Sequence, residues 1–172
     1  MIFIHALKKV ELFLQTTNRF YYTTAVTLML LLATIITTLI LKFLQEYQVL
    51  SSKIWLEYPI DSDNHIVWKI FTAVIFAPLI ETLINQSLVY HLLQKVHFFS
   101  NHKWRIILFS ATFFGVKHFY SLEYIISAFV LGIIFMHAYM ERVEKDSKTF
   151  HLIAASHASF NLIVLLINYF DL

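Results

Sequence analysis

The chain alternates long apolar runs with short polar breaks, and the runs are too long for an ordinary soluble fold. Phe20–Leu44 is about 25 apolar or Thr-bearing positions, where ~20 suffice to cross ~30 Å of hydrocarbon. It predicts a first transmembrane helix. Ile66–Leu93 predicts a second, Trp104–Tyr120 a third, Tyr124–Tyr139 a fourth and Phe150–Phe170 a fifth. Between them lie a long polar connection over Gln45–His65, a connector over Gln94–Lys103, a tight turn at Ser121-Leu122-Glu123 and a mixed-charge loop over Glu141–Lys148. Trp55 and Tyr58 in the long connection suit an interfacial aromatic belt. Ahead of the first run, Ile4, Leu7, Val10, Phe13 and Leu14 fall at helical spacing among Lys8, Lys9 and Glu11. That pattern predicts an amphipathic helix lying in the interface, with a frayed tail as the alternative.

The expected architecture is therefore all-α: a polytopic transmembrane helical bundle of about five spans plus an N-terminal interfacial segment over residues 1–19. Residues 20–172 form one transmembrane domain. Composition agrees. The chain is 59% hydrophobic and only 14% charged, against about 45–50% and 25% in soluble domains. Two Gly and two Pro leave no room for flexible linkers, and no internal repeat is visible. The absence of Cys excludes disulfides, thiolate nucleophiles and Cys-based zinc sites. A net charge of +2 with scattered basic residues gives no basis for a nucleic-acid partner.

Met1–Leu14 is short and mixed, and no small-residue cleavage site follows the first long run, so Phe20–Leu44 is expected to be a retained anchor. Nine of the thirteen basic residues fall on one side of the five-span scheme: Lys8, Lys9, Arg19, Lys95, Lys103, Arg105, Arg142, Lys145 and Lys148. Lys42, Lys53 and Lys69 lie on the other side, and Lys117 lies within a span. The positive-inside rule then places the N-terminus in the cytosol and the C-terminus outside. A bacterial plasma membrane is the expected location.

Candidate chemistry sits inside the spans. Glu81 is an acid near the middle of the second run, where a carboxylate costs about 2.5–3.5 kcal/mol on insertion scales and is usually turned inward, paired and functional. The competing reading is a protonated acid bonded to a neighbouring helix. Pro78, three residues earlier, removes a backbone donor and is expected to kink the helix and open room beside Glu81. Phe114 and His118 are four apart, as are His157 and Asn161, Glu81 and Asn85, and Thr82 and Gln86, so each pair shares a helix face. Three spans thus present polar groups from one face each. Glu81, His118, His157 and Asn161 around one cavity would suffice for hydrolysis: a carboxylate and one imidazole to deprotonate water, the other imidazole and the amide to hold an oxyanion. By helix position Glu81 and His118 match in depth, whereas His157 starts closer to the cytosolic loop, so a common site requires extended helices or tilt. Other residues read more plainly. His5, His65, His97 and His102 are loop or interfacial residues, Phe114 is packing, and Glu123 is solvated at its turn. Lys117 snorkels or pairs with an acid.

At these residues the sequence resembles the CPBP family, also called the CAAX-processing or Abi family, of intramembrane proteases. That family carries Glu-Glu-xxx-Arg, then Phe-xxx-His, then His-xxx-Asn on successive core helices. Here Ala-Pro-Leu-Ile-Glu81 leads into the first motif, Phe114-Gly-Val-Lys-His118 is the second and His157-Ala-Ser-Phe-Asn161 the third. The resemblance covers residues 66–170. It implies that Glu81 is the water-activating base, that His118 helps hold the water, and that His157 and Asn161 stabilise the oxyanion. Thr82, Asn85, Gln86 and Phe114 would support the site or bind substrate. The first motif is degenerate, because the family's second Glu is Thr82 here and its Arg is Gln86. Losing both charges together avoids one uncompensated buried charge, and a Thr82–Gln86 hydrogen bond is expected in place of the ion pair. The resemblance allows a zinc ion on Glu81, His118 and His157 with water in the fourth position. No His-Glu-xx-His arrangement is present, and a metal-free glutamate mechanism with no cofactor is the favoured expectation. The substrate would be a membrane-associated or hydrophobic peptide, or a lipidated protein, in contact with the bilayer. Two other functions compete: a catalytically impaired member acting as a membrane binding or bacteriocin-immunity protein, and a small transporter with Glu81 as its proton site.

Overall fold

The computed structural model describes residues 2–47 and 65–170. Trp55, Tyr58 and most of the long polar connection lie outside the described residues. Among the described residues seven helices follow one another: α1 (Ile2–Thr16), α2 (Arg19–Glu46), α3 (Ile66–Leu93), α4 (His97–Ser100), α5 (Lys103–Lys117), α6 (Leu122–Arg142) and α7 (Thr149–Tyr169). Local chemistry explains several boundaries. Asn18 accepts from the Tyr21 amide at the start of α2, and Ser121 accepts from the Tyr124 amide at the start of α6. Both are N-caps that satisfy an otherwise orphan donor.

Four helices, α2, α3, α6 and α7, are long and apolar enough to cross a membrane. The expected third span differs. α5 has 15 residues, about 22 Å of rise against ~30 Å of hydrocarbon. It nevertheless packs inside the bundle, with Ile106, Ile107, Ala111 and Phe114 at most 3% exposed. The chain is an all-α integral membrane protein. Its outer surface is apolar: Leu28, Leu32, Ile35, Leu39 and Phe43 of α2 are all more than half exposed.

α6 is the central helix, touching α1, α2, α3, α5 and α7. Phe135, Met136, Ala138 and Tyr139 on it are almost fully buried. Lipid tails are as apolar as a helix surface, so close packing and hydrogen bonds must hold such a bundle together. Both are visible. Gly132 of α6 lies so close to α5 that a Cβ there would be 2.8 Å from the Cα of Ala111. The Tyr22 hydroxyl donates to the Ala138 carbonyl at 2.8 Å, joining α2 to α6. Thr27 donates to the Ser156 carbonyl and Ser156 to the Thr23 carbonyl, each at 3.3 Å, joining α2 to α7.

The basic end of the bundle is tied by ions. The Arg142 guanidinium donates to the carbonyls of Leu14 at 3.1 Å and Thr17 at 2.7 Å, so it closes the C-terminus of α1. Leu14 is fully buried, while Val10 and Phe13 are exposed. Asp146 accepts two bonds from Arg19, at 2.9 and 3.0 Å, and one from Arg142 at 3.2 Å. The Arg19 bonds first, then the Lys148 amide and Arg142, hold the Asp146 carboxyl well below the usual carboxylate range. At the opposite end Glu123 is not simply solvated: the Gln45 amide donates to it at 2.9 Å, because α2 is long enough to reach across the Ser121 turn. Lys117 lies over the Phe113 ring, 5.4 Å from its centroid.

Candidate active site

The site is built on an irregular helix. α3 contains two π-helical stretches, Phe71–Phe76 and Thr82–Leu88, separated by one α-helical turn, Ala77–Glu81. Such widened turns are rare and concentrate at functional sites. Pro78 supplies a local reason. In an α-helix its ring would strike the carbonyl four residues back. The π stretch ends just before it, with the Ala77 amide donating to the Thr72 carbonyl five residues back. The expected kink is thus a change of helical register that leaves α3 continuous.

A register change frees backbone carbonyls, and polar side chains take them up. The Asn161 amide of α7 donates to the Ala73 carbonyl at 2.7 Å. The Asn85 amide donates to the Glu81 carbonyl at 2.9 Å. The Ser110 hydroxyl of α5 donates to the Asn85 carbonyl at 2.7 Å. Irregular backbone at membrane depth requires such partners. Asn85 therefore serves the Glu81 backbone rather than its carboxylate.

Glu81, His118 and His157 come together from α3, the end of α5 and α7. The Glu81 side chain is 22% exposed. Its Oε1 is 3.9 Å from His118 Nε2, and its Oε2 is 3.7 Å from His157 Nε2. Each imidazole faces a different carboxylate oxygen, beyond direct hydrogen-bond length. His118 follows the last residue of α5, and its Nδ1 is 2.7 Å from the Phe114 carbonyl. A carbonyl only accepts, so Nδ1 carries a hydrogen, and in the neutral ring Nε2 is then an acceptor. His157 is 5% exposed, packed on Phe135 at 4.6 Å and Phe114 at 6.1 Å between ring centroids. Phe114 also touches the His118 ring, 4.6 Å between centroids. The buried Phe114 thus orients both imidazoles, one through its carbonyl and its ring, the other through its ring alone. Sequence spacing placed Phe114 on the right face as packing; the carbonyl contact follows from α5 ending at Lys117.

The depth mismatch is resolved by unequal helix starts. His118 caps a 15-residue helix, while His157 is only the ninth residue of α7. The two rings still meet one carboxylate, so α5 begins farther from the site than α7 does.

Thr82, Asn85 and Gln86 are buried, at most 1% exposed. The expected Thr82–Gln86 hydrogen bond is absent: Thr82 Oγ1, Gln86 Nε2 and Asn85 Oδ1 have no partner among the described residues. The π-helical stretch over Thr82–Leu88 replaces the α-helical i,i+4 alignment that this bond assumed, and both side chains point into the packing instead.

Zinc can be tested against the geometry. No single Glu81 oxygen together with one nitrogen of each histidine forms a set within 4.8 Å among the described residues, whereas ligands on a tetrahedral zinc with ~2.0 Å bonds sit roughly 3.3 Å apart. As placed, the trio is more open than a tetrahedral zinc would hold it. Glu11, His137 and Glu141 do lie within that distance. That cluster already holds a cation, because the Lys103 ammonium pairs with Glu141 and lies 3.9 Å from Glu11.

Fold and site together define a helical membrane protein with an acid and two imidazoles converging between its helices. The family model described as type II CAAX prenyl endopeptidase Rce1-like matches residues 63–163, more than half of the chain. The chain belongs to this CAAX-protease family, and it is a membrane-embedded protease by family. No curated protein and no solved structure matches it significantly.

Proposed function

We propose that the chain is an intramembrane endopeptidase in which Glu81 activates water, without a metal, to hydrolyse a peptide bond in a membrane-associated or hydrophobic substrate. The observation that carries this reading is the pairing of acceptors. With Nδ1 committed to the Phe114 carbonyl, His118 Nε2 and Glu81 Oε1 are two acceptors 3.9 Å apart. A water about 2.8 Å from each would subtend an angle of about 90°, near its own H–O–H angle. Both of its hydrogens are then bound and a lone pair is left for attack. In the reaction, water oxygen bonds to the scissile carbonyl carbon and its proton passes to Glu81. The oxyanion accepts a hydrogen bond from His157 Nε2, which faces the Glu81 carboxylate at 3.7 Å and so carries its hydrogen there. The Asn161 amide hydrogen not given to Ala73 supplies a second bond. Glu81 then returns the proton to the leaving nitrogen as the C–N bond breaks, and the remaining hydroxyl proton passes to the freed amine, giving one carboxylate and one ammonium terminus. Such positioned general bases contribute about 10²–10⁴-fold.

The family description concerns prenylated CAAX substrates; for this chain the common chemistry is a peptide held at the membrane. By the positive-inside rule the proposed N-terminus is cytosolic, since Arg19, Lys103, Arg142 and Lys145 all engage partners at one end of the bundle.

The test is cleavage of a library of quenched hydrophobic and lipidated peptides in detergent, wild type against Glu81→Ala, each with and without a chelator. Cleavage that depends on Glu81 and ignores chelator is expected. Loss to chelator with recovery on zinc would overturn the metal-free mechanism. No cleavage across the library would favour the second reading, a membrane binding or bacteriocin-immunity protein. Thr82 and Gln86, which stand where the motif carries Glu and Arg and whose Oγ1 and Nε2 have no partner among the described residues, favour that reading.

A further inference from the structure

We propose that Asn161 is a positioning residue that holds the Glu81-bearing segment of α3 in place through the Ala73 carbonyl. The proposal deepens the protease reading and rests on it for its catalytic consequence. Its origin is a missing hydrogen. Over Phe71–Phe76 the backbone runs in π register, and the Ala77 amide donates to Thr72. The next bond in that register would run from residue 78 to the Ala73 carbonyl. Residue 78 is proline and has no N–H. Ala73 is 8% exposed, so its carbonyl must find a partner inside the bundle or bear the cost of a buried unmet acceptor. The Asn161 amide fills that place at 2.7 Å from across the helix interface.

The link has mechanical consequences. Asn161 is one turn along α7 from His157, and Ala73 is two turns along α3 from Glu81. Two polar contacts between these helices, Asn161 to Ala73 and His157 to Glu81 at 3.7 Å, add direction to the packing of α3 on α7. Removing the first leaves packing, the Ser110–Asn85 bond and a pair of groups too far apart to bond to locate the carboxylate. Displacement of about 1 Å at a reacting group can cost about 10²-fold in rate.

The experiment is a double-mutant cycle in the full-length protein: Asn161→Ala, Pro78→Ala and both together. Pro78→Ala restores an N–H that can reach the Ala73 carbonyl, so Asn161 should matter less in that variant. Asn161→Ala is expected to lower kcat by about 10²-fold in the wild-type background with little change in KM, and by about ten-fold less in the Pro78→Ala background. Amide exchange over Phe71–Glu81 is expected to quicken in Asn161→Ala and to slow again in the double variant. An equal kcat loss in both backgrounds would overturn the positioning role and leave Asn161 acting on the oxyanion alone. Exchange unchanged by Asn161→Ala would overturn the clasp itself. If the wild type cleaves no peptide, the protease reading fails while the exchange measurements still decide whether Asn161 holds the segment.

Discussion

Gly132→Ala tests whether the close approach of α5 and α6 sets the site. The added Cβ would lie 2.8 Å from the Ala111 Cα, and 3.3 Å from both the Ala111 Cβ and the Phe114 Cβ. Carbon atoms rest at about 3.5–4.0 Å, so the helices must part by roughly 1 Å at this level. The nearest atom is backbone and cannot swing aside. Overpacking of this kind costs about 1–3 kcal/mol, while the gain from replacing a helical glycine is at most about 1 kcal/mol. The overpacking wins and the variant is destabilised. A chain of this size loses about 2–4 °C of unfolding midpoint per kcal/mol, which thermal unfolding in mild detergent, followed by tryptophan fluorescence, resolves. Phe114 sits at the same contact and its carbonyl holds His118, so peptide cleavage should fall along with the midpoint. An unchanged or raised midpoint would refute the reasoning, and a lowered midpoint with full cleavage would show that the α5–α6 spacing does not govern the site.

Other contacts lead to their own expected outcomes. Glu81→Gln presents an amide donor to the His118 Nε2 acceptor, closing the 3.9 Å gap with a direct bond; cleavage should drop by about 10²–10⁴-fold with the fold intact by size exclusion, and retention of most activity would sink the base assignment. The Asp146 carboxyl, held below its usual range by Arg19, contributes stability that is present above the ordinary aspartate value of about 3.9 and is lost as pH falls through the lower folded value. Midpoints measured downward from pH 5 should fall more steeply in wild type than in Asp146→Asn, and parallel curves would remove the claim. Thr82→Val deletes a buried hydroxyl that has no partner among the described residues while keeping the shape of the side chain, and should raise the midpoint by an amount equivalent to about 1 kcal/mol; a fall would show that the hydroxyl is bonded.

Much of this protein was legible from residue order because the bilayer constrains spanning segments severely. Long apolar runs must close their backbone bonds internally, so Phe20–Leu44 and Phe150–Phe170 read as helices with ends within two residues of those observed. A charged group in such a run has to justify its cost, which singled out Glu81. Four-residue spacing alone placed His118 over Phe114 and His157 with Asn161. α5 was less legible, because apolar residues continue past Lys117 through Phe119 and Tyr120, and only packing shows where the helix ends.

What the tertiary structure alone decided concerns carbonyls and contacts between helices. Pro78 announced a disturbance, but not its form as two π-helical stretches, since register depends on which neighbours accept the freed backbone groups. Asn161 and Ser110 are those neighbours, 88 and 25 residues away along the chain, and no local pattern records such pairings. Thr82 and Gln86 were expected to bond each other and do not, because α-helical geometry was assumed where the backbone is wider. The roles of the two histidines depend on which nitrogen holds the hydrogen. For His118 a backbone carbonyl at the end of α5 decides this. Residue order specifies the groups that a span must bury; which atom of each group faces which depends on where helices end, widen and approach one another.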